Sequence, residues 1–120
     1  SQWNKDIKNA ANADFVVNFK KTYGRFPSLY ASQGFDTALL IDSAIRAVDG
    51  DMSKQDDFRK ALKAAKFQSV RGPFKFGPNH HPIQDIYVRE VYKDGDNITN
   101  RIVGKVFTNH GDVYAADCKM

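Results

Sequence analysis

The sequence predicts an α/β fold in which three helices are followed by short strands and a hairpin. Apolar residues recur at helical spacing over residues 12–23, 32–48 and 54–66. After Lys66 the pattern changes to strand-like alternation between Gly-Pro turns, in the stretch "SVRGPFKFGPNHHPIQDIYVREV" (69–91). The chain has 120 residues, which is long enough for one domain with a sizeable core.

The first helix is predicted over residues 12–23. Its buried stripe consists of four apolar residues: Phe15, Val16, Phe19 and Tyr23. Asn12 or Asp14 is suited to cap its start. Gly24 is suited to end it, because glycine readily adopts the left-handed conformation that follows a helix.

The second helix is predicted over residues 32–48. Five apolar residues are expected on its buried side: Phe35, Ala38, Leu39, Ile45 and Val48. Asp36 and Arg46 are expected to point outward, and "DGD" at residues 49–51 ends the helix.

The third helix is predicted over residues 54–66, with Ser53 as its N-cap. Four residues form its apolar face: Phe58, Ala61, Leu62 and Ala65. Asp56 and Asp57 lie in its first turn, where the helix dipole favours negative charge.

Three strands are predicted after the helices. "FKF" (74–76) alternates, and "DIYVREVY" (85–92) is rich in residues that favour strands. "KDGDN" (93–97) is a hairpin turn, because Asp-Gly suits a tight two-residue connection. "ITNRIVGKVF" (98–107) is then the returning strand.

Composition and charge argue against several classes of function. The net charge of +4 is scattered over segments that also carry acids, which is typical of solvated surfaces and not of a nucleic-acid groove. No stretch is long and apolar enough for a membrane span. The single cysteine, Cys118, has no intramolecular disulfide partner.

We predict no catalytic residues, no metal site and no cofactor. Glu90 is the only glutamate, and no pair of acids has the setting that acid–base catalysis needs. His80 and His81 are adjacent, and adjacent strand residues point to opposite faces, so a polar turn is favoured over metal binding. The chain is therefore not predicted to be an enzyme.

Tyr30, in "PSLYASQGFDTALL", is the one candidate for ligand contact that the residues suggest. It lies just before the predicted start of the second helix, where free backbone N–H groups can bind an anion. Its ring can wall an apolar pocket. The alternative is a core tyrosine that packs at the helix entry.

Two long stretches together resemble a known family. "ANADFVVNFKKTYGRFPSLYASQGFDTALLIDSAIRAV" and "FRKALKAAKFQSVRGPFKFGPNHHPIQDIYVREV" are similar to the C-terminal part of periplasmic solute-binding proteins of ABC importers. The relevant branch has the type I fold and binds branched-chain amino acids or aromatic acids. The likeness runs from about Trp3 to Val91 in the right order.

The resemblance implies the C-terminal portion of a two-lobe, flytrap fold. Residues 1–82 would belong to one lobe and residues 83–120 would be hinge-proximal strands and tail. Such a fragment would lack most of the ligand site, and we expect it to self-associate through its open strand edges. The membrane permease of the importer and a small ligand would be its partners in the complete protein, located in the periplasm.

The resemblance also implies site residues. One aromatic position of the family's pocket wall matches Tyr30, and Gln33 and Gly34 lie close behind it. Two other hypotheses stay open: a ligand-sensing domain of a signalling protein, and a small basic nucleic-acid-binding domain.

Overall fold

The computed structural model describes residues 1–118, which form three α-helices and a three-stranded sheet in the predicted order. The elements are α1 (Ala10–Tyr23), α2 (Leu29–Ala47), α3 (Gln55–Ala64), β1 (Lys75–Phe76), β2 (Pro82–Asp94), β3 (Asn97–His110) and a 3₁₀ turn (Ala115–Asp117). None of the helices in this range combines the length and the apolar character needed to cross a membrane.

Helix α1 begins two residues earlier than predicted. Its cap is Asn9, whose side chain accepts a hydrogen bond from the backbone N–H of Asn12 at 2.7 Å. The proposed caps Asn12 and Asp14 are therefore wrong, because both lie inside the helix. Gly24 ends the helix as predicted, with a φ of 67° and its N–H donating to the carbonyl of Lys20.

Helix α2 also begins earlier, at Leu29 instead of Ser32. The hydroxyl of Ser28 accepts from the N–H of Ala31 at 3.2 Å, so "PSLY" contains the cap and the first turn. Tyr30 consequently lies within the first helical turn and not before it.

The buried side of α2 differs from the predicted one. The helix buries three residues, Ser32, Asp36 and Ala44, and Val48, which follows its last residue, is also buried. Asp36, which was expected to point outward, is 1% exposed because its carboxylate binds the segment that follows α3. Phe35 and Ile45 were expected to be buried but are 40% and 37% exposed.

Helix α3 is shorter than predicted at both ends. Ser53 does not cap it, since its N–H and hydroxyl both donate to Asp51. Lys54 precedes the first turn without a side-chain cap, and the helix ends where Ala65 adopts a left-handed conformation with a φ of 47°.

The sheet is antiparallel with strand order β1-β2-β3. Strands β2 and β3 form a long hairpin closed by the predicted turn, in which Gly95 has a φ of 61°. The hairpin register shifts at three places, which are irregularities of the β-bulge type.

The core lies between the N-terminal segment, α1 and the segment after α3. It consists of Trp3, Phe15 and Val70, and the rings of Trp3 and Phe15 meet edge to face at 6.1 Å. The indole N–H of Trp3 donates to the buried side chain of Asn12 at 2.8 Å. The helical patterns predicted Phe15 in this core but did not include Trp3 or Val70.

The N-terminal segment ties the hairpin to the helices. Backbone groups of Ser1 and Tyr87 exchange two hydrogen bonds, at 2.7 and 2.8 Å. Further along, the carboxylate of Asp6 accepts from the N–H of Ile102 at 2.9 Å. The same segment therefore contacts both α1 and the hairpin. Because Leu29 and Ala31 of α2 pack against the core that includes Trp3, these contacts also place the hairpin relative to α2.

Candidate functional site

Tyr30 borders a cavity of about 330 Å³ between the start of α2, the N-terminal segment and the hairpin. Its side chain is 79% exposed, so it is not a core tyrosine within residues 1–118. The first turn of a helix leaves backbone N–H groups without helical partners, and Ser28 caps only the N–H of Ala31. An aromatic ring and free N–H donors therefore lie at one edge of this cavity.

The cavity, hereafter the Tyr30 cavity, is lined by basic and polar residues. Lys5 comes from the N-terminal segment, Arg89 from β2, and Thr99 from β3. None of its lining residues within the described range 1–118 is acidic. Its local charge is therefore positive, which suits an anionic ligand.

The positive charge of Lys5 is compensated by neighbours on the hairpin. Its ammonium donates to the hydroxyl of Tyr92 at 3.0 Å and to the carboxylate of Asp94 at 3.2 Å. Burial lowers the pKa of Lys5, but the hydrogen bonds to Tyr92 and Asp94 outweigh it, so this pKa lies above its usual value. The ammonium also lies 4.9 Å from the ring centre of Phe26. Lys5 thus joins the tip of the hairpin to the loop before α2.

Arg89 differs from Lys5 in having no such partner among the described residues. In the part of the chain that the structure describes, its side chain makes no ion pair and no hydrogen bond, although it is partly buried. The adjacent acid, Glu90, pairs with Arg101 at 2.7 Å. Adjacent strand residues point to opposite faces, so Glu90 does not share the side of β2 on which Arg89 lies.

Gln33 and Gly34 do not line the Tyr30 cavity. Gln33 borders a separate cavity of about 320 Å³, together with Arg71 and Phe74. Gly34 borders the groove between α1 and α2, and a Cβ atom added there would meet nothing within 4 Å. The three predicted ligand residues therefore lie at three different cavities, and their roles stay predictions.

The groove between α1 and α2 has a volume of about 550 Å³ and a more apolar lining than the Tyr30 cavity. Its lining includes four aromatic side chains, those of Phe15, Phe19, Tyr23 and Phe35. It has one acid, Asp14, and no basic residue among its described lining residues. It lacks the charge that would bind a carboxylate.

Sequence reasoning found Tyr30 but missed Lys5 and Arg89. Arg89 is one of several charged residues in a strand, and nothing in its local pattern separates it from Lys93 or Arg101. Only the fold brings residues 5, 30 and 89 to one cavity.

His80 and His81 lie between β1 and β2. His80 has a φ of 60°, which places it in a turn. Within residues 1–118 no group of three or more His, Cys, Asp or Glu side chains is placed to hold a metal ion.

A family model for periplasmic binding proteins matches residues 1–96 of the chain. The chain belongs to the periplasmic binding protein family. A search of curated proteins found no match to this chain.

Solved structures of other periplasmic binding proteins share its fold. A solute-binding protein of an ABC transporter from R. palustris, in complex with benzoate, is 36% identical with a TM-score of 0.87. A second, from Rhodopseudomonas palustris BisB5 in complex with 3,4-dihydroxybenzoic acid, is 29% identical with a TM-score of 0.79. A third, from Rhodopseudomonas palustris HaA2 in complex with p-hydroxybenzoic acid, is 26% identical with a TM-score of 0.78.

These matches cover nearly all of this periplasmic binding protein chain but a third of each relative. They cover 99%, 93% and 98% of this chain, and 32%, 31% and 32% of the three solved chains. The predicted fold class, part of a periplasmic-binding-protein fold, is confirmed.

Proposed function

We propose that this chain forms part of a solute-binding protein that delivers an aromatic carboxylic acid to an ABC importer. The observation that carries the proposal is the Tyr30 cavity, where an exposed aromatic ring borders a space whose described lining residues include Lys5 and Arg89 but no acid. A ring and a carboxylate are the two parts of benzoate-type ligands, and three relatives were solved with such acids.

The charge of the Tyr30 cavity favours a carboxylic acid without an amino group over an amino acid. A branched-chain amino acid also brings an ammonium group, and a charge that is taken out of water is best compensated by an opposite charge such as a carboxylate. The described lining residues of the Tyr30 cavity include no carboxylate, but they include Lys5 and Arg89. Of the two ligand classes expected from the sequence, aromatic acids therefore fit better.

The whole protein would act as a two-lobe receptor in the periplasm, with the membrane permease as its partner. Residues 1–82 would belong to one lobe, and residues 83–120 would include the hinge-proximal strands. Each lobe of such a receptor supplies part of the ligand contacts, so that ligand shifts the population toward the closed form. Binding, and not catalysis, is the proposed activity.

Titration of the full-length protein with benzoate and with leucine tests the proposal. We expect benzoate to bind and Tyr30→Ala to weaken it about 10- to 100-fold, because a ligand ring loses its stacking partner. Tyr30→Phe should keep most of the affinity, because it keeps the ring. Tyr23→Ala is the matched control, since Tyr23 is also exposed but lines the groove between α1 and α2.

Two results would count against the proposal. Preferential binding of leucine would assign the receptor to amino acids. Unchanged benzoate affinity in Tyr30→Ala would remove Tyr30 from the site.

Self-association of the isolated 120-residue chain is part of the same proposal. The apolar side chains of Phe35, Ile41 and Ile45 on α2 are 37–42% exposed, and one edge of β3 has no strand beside it within residues 1–118. Such surfaces favour pairing with another copy. Light scattering over a range of concentrations should detect dimers or larger species, whereas a monomer at every concentration would contradict this.

A further inference from the structure

We infer that Arg89 is the residue of this chain that recognises the carboxylate of the ligand, and so sets the preference for acids. The inference rests on the proposed function and goes beyond it, because it assigns the charge selectivity to one side chain. The starting point is the absence of any ion pair or hydrogen bond of the Arg89 side chain in the described residues, 1–118.

An arginine in this position needs an anion. The guanidinium keeps its charge at any physiological pH, so partial burial cannot be relieved by loss of a proton. A partly desolvated charge without a partner costs free energy that a bound carboxylate recovers. The flat, forked guanidinium also matches a carboxylate with two parallel hydrogen bonds.

The other cation of the cavity is not equivalent. The ammonium of Lys5 already contacts Asp94 at 3.2 Å and Tyr92 at 3.0 Å, so its charge is compensated within the chain. A ligand carboxylate would compete with Asp94 for Lys5 but would have no such competitor at Arg89 among the described residues. Arg89 is therefore the stronger anchor.

The local strand geometry supports a specific placement of Arg89. The pairing register shifts between Val88 and Arg89, where Val88 faces Gly104 but Arg89 faces Ile102. One residue of β3 is therefore extra at this point, which increases the local twist and changes the direction of the side chains. Tyr87, two residues before Arg89, is fixed by its backbone bonds to Ser1. The strand that carries Arg89 is thus anchored beside the cavity.

The test compares an acid with its neutral analogue on the full-length protein. Dissociation constants for benzoate and benzamide are measured by calorimetry for the wild type and for Arg89→Gln. We expect Arg89→Gln to weaken the binding of benzoate about 10- to 100-fold, which is the usual effect of losing hydrogen bonds to a charged group. The dissociation constant of benzamide should change by no more than about twofold, because benzamide brings no charge to Arg89.

Two further variants make the comparison specific. Arg89→Lys keeps the charge without the fork, so its affinity for benzoate should lie between those of the wild type and Arg89→Gln. It also serves if Arg89→Gln does not fold. Arg101→Gln removes the same charge from the same hairpin, at a half-exposed residue that pairs with Glu90. This variant should leave the affinities for both ligands unchanged.

The outcomes separate this inference from the proposed function. An equal loss of affinity for benzoate and for benzamide in Arg89→Gln would show a structural role and overturn the inference. Unchanged affinity for both ligands would overturn it as well. If thermal stability falls but the ratio of the two dissociation constants is kept, the partner of Arg89 is an acid of the protein itself, and the inference fails.

A wild type that binds no aromatic acid would instead refute the proposed function. Aliphatic carboxylates and their amides are then titrated in the same way. Loss of carboxylate preference in Arg89→Gln would still support the role of Arg89, and a preferred ligand without negative charge would overturn it.

Discussion

Asp36 gives the sharpest test of how this chain is held together. Its carboxylate accepts from the hydroxyl of Ser69 at 2.6 Å, the backbone N–H of Val70 at 2.9 Å and the guanidinium of Arg71 at 2.7 Å. Asp36 is 1% exposed and Arg71 is 8% exposed. This one side chain therefore fixes the segment after α3 against α2.

Replacing Asp36 with alanine should cost about 3–5 kcal/mol of unfolding free energy, the range for breaking a buried ion pair from one side. Arg71 would keep its contacts with the side chain of Gln84 and the ring of Phe74, which favours the lower half of that range. Asp36→Asn keeps an acceptor for Val70 but loses the charge, and should cost about 1.5–3 kcal/mol. Since domains of this size are stable by about 5–15 kcal/mol, the alanine variant should be close to unfolding.

The assay is urea unfolding of the chain, followed by the fluorescence of its one tryptophan, Trp3, which is 2% exposed when folded. Asp42→Ala is the control, because Asp42 lies on the same helix and pairs with Arg46 at 2.7 Å, but on the exposed surface. Its cost should be below about 0.5 kcal/mol.

The double variant of Asp36 and Arg71 to alanine completes the experiment. It should be less destabilised than the sum of the two single variants, because it leaves no unpaired buried charge. If Asp36→Ala costs no more than Asp42→Ala, burial does not decide the strength of these two ion pairs, and the reasoning is refuted.

Two further predictions concern buried or half-buried hydrogen bonds of the hairpin and of α1. The hydrogen bond from Lys105 is the main cause that holds the pKa of Asp85 below its usual value. The ionised Asp85 carboxylate therefore stabilises the fold above about pH 4, and this stability is lost as pH falls through the pKa of Asp85 in the folded state. The stability gap between wild type and Asp85→Asn, measured by urea unfolding, should therefore narrow between neutral pH and about pH 3, and a constant gap would contradict this. Asn12→Ala should cost about 2–4 kcal/mol in the same assay, because the indole N–H of Trp3 and backbone carbonyls lose their buried partner. The exposed Asn18→Ala on the same helix should cost less than about 0.5 kcal/mol, and similar values for both would refute the role of Asn12.

The elements that depend on local chemistry could be predicted from the sequence. Gly24 ends α1 and Gly95 closes the hairpin because both need a left-handed backbone, and the neighbouring residues are enough to indicate this. Helix starts were less accurate, because Asn9 and Ser28 cap their helices ahead of the apolar stripes on which the predictions relied.

The direction of Asp36 could not be predicted from its own helix. Its partners, at residues 69–71, are more than thirty positions away in sequence, and only the fold brings them together. Helical periodicity indicates which side chains share a face but not which face meets the rest of the chain. The same limit explains why Phe35, predicted to be buried, is 40% exposed within the described residues.

The candidate site has the same dependence on long-range contacts, and this has a consequence for how it would respond to a ligand. Tyr30 belongs to α2, whereas Arg89 belongs to a hairpin that the N-terminal segment holds in place. A ligand whose ring packs on Tyr30 and whose carboxylate binds Arg89 contacts both parts at once. It therefore favours arrangements in which both contacts are within reach, and its binding free energy opposes any movement of the hairpin away from α2. A neutral analogue such as benzamide offers Arg89 a carbonyl oxygen without the negative charge, so it should stabilise this arrangement less than the acid does, even where the two occupy the cavity equally.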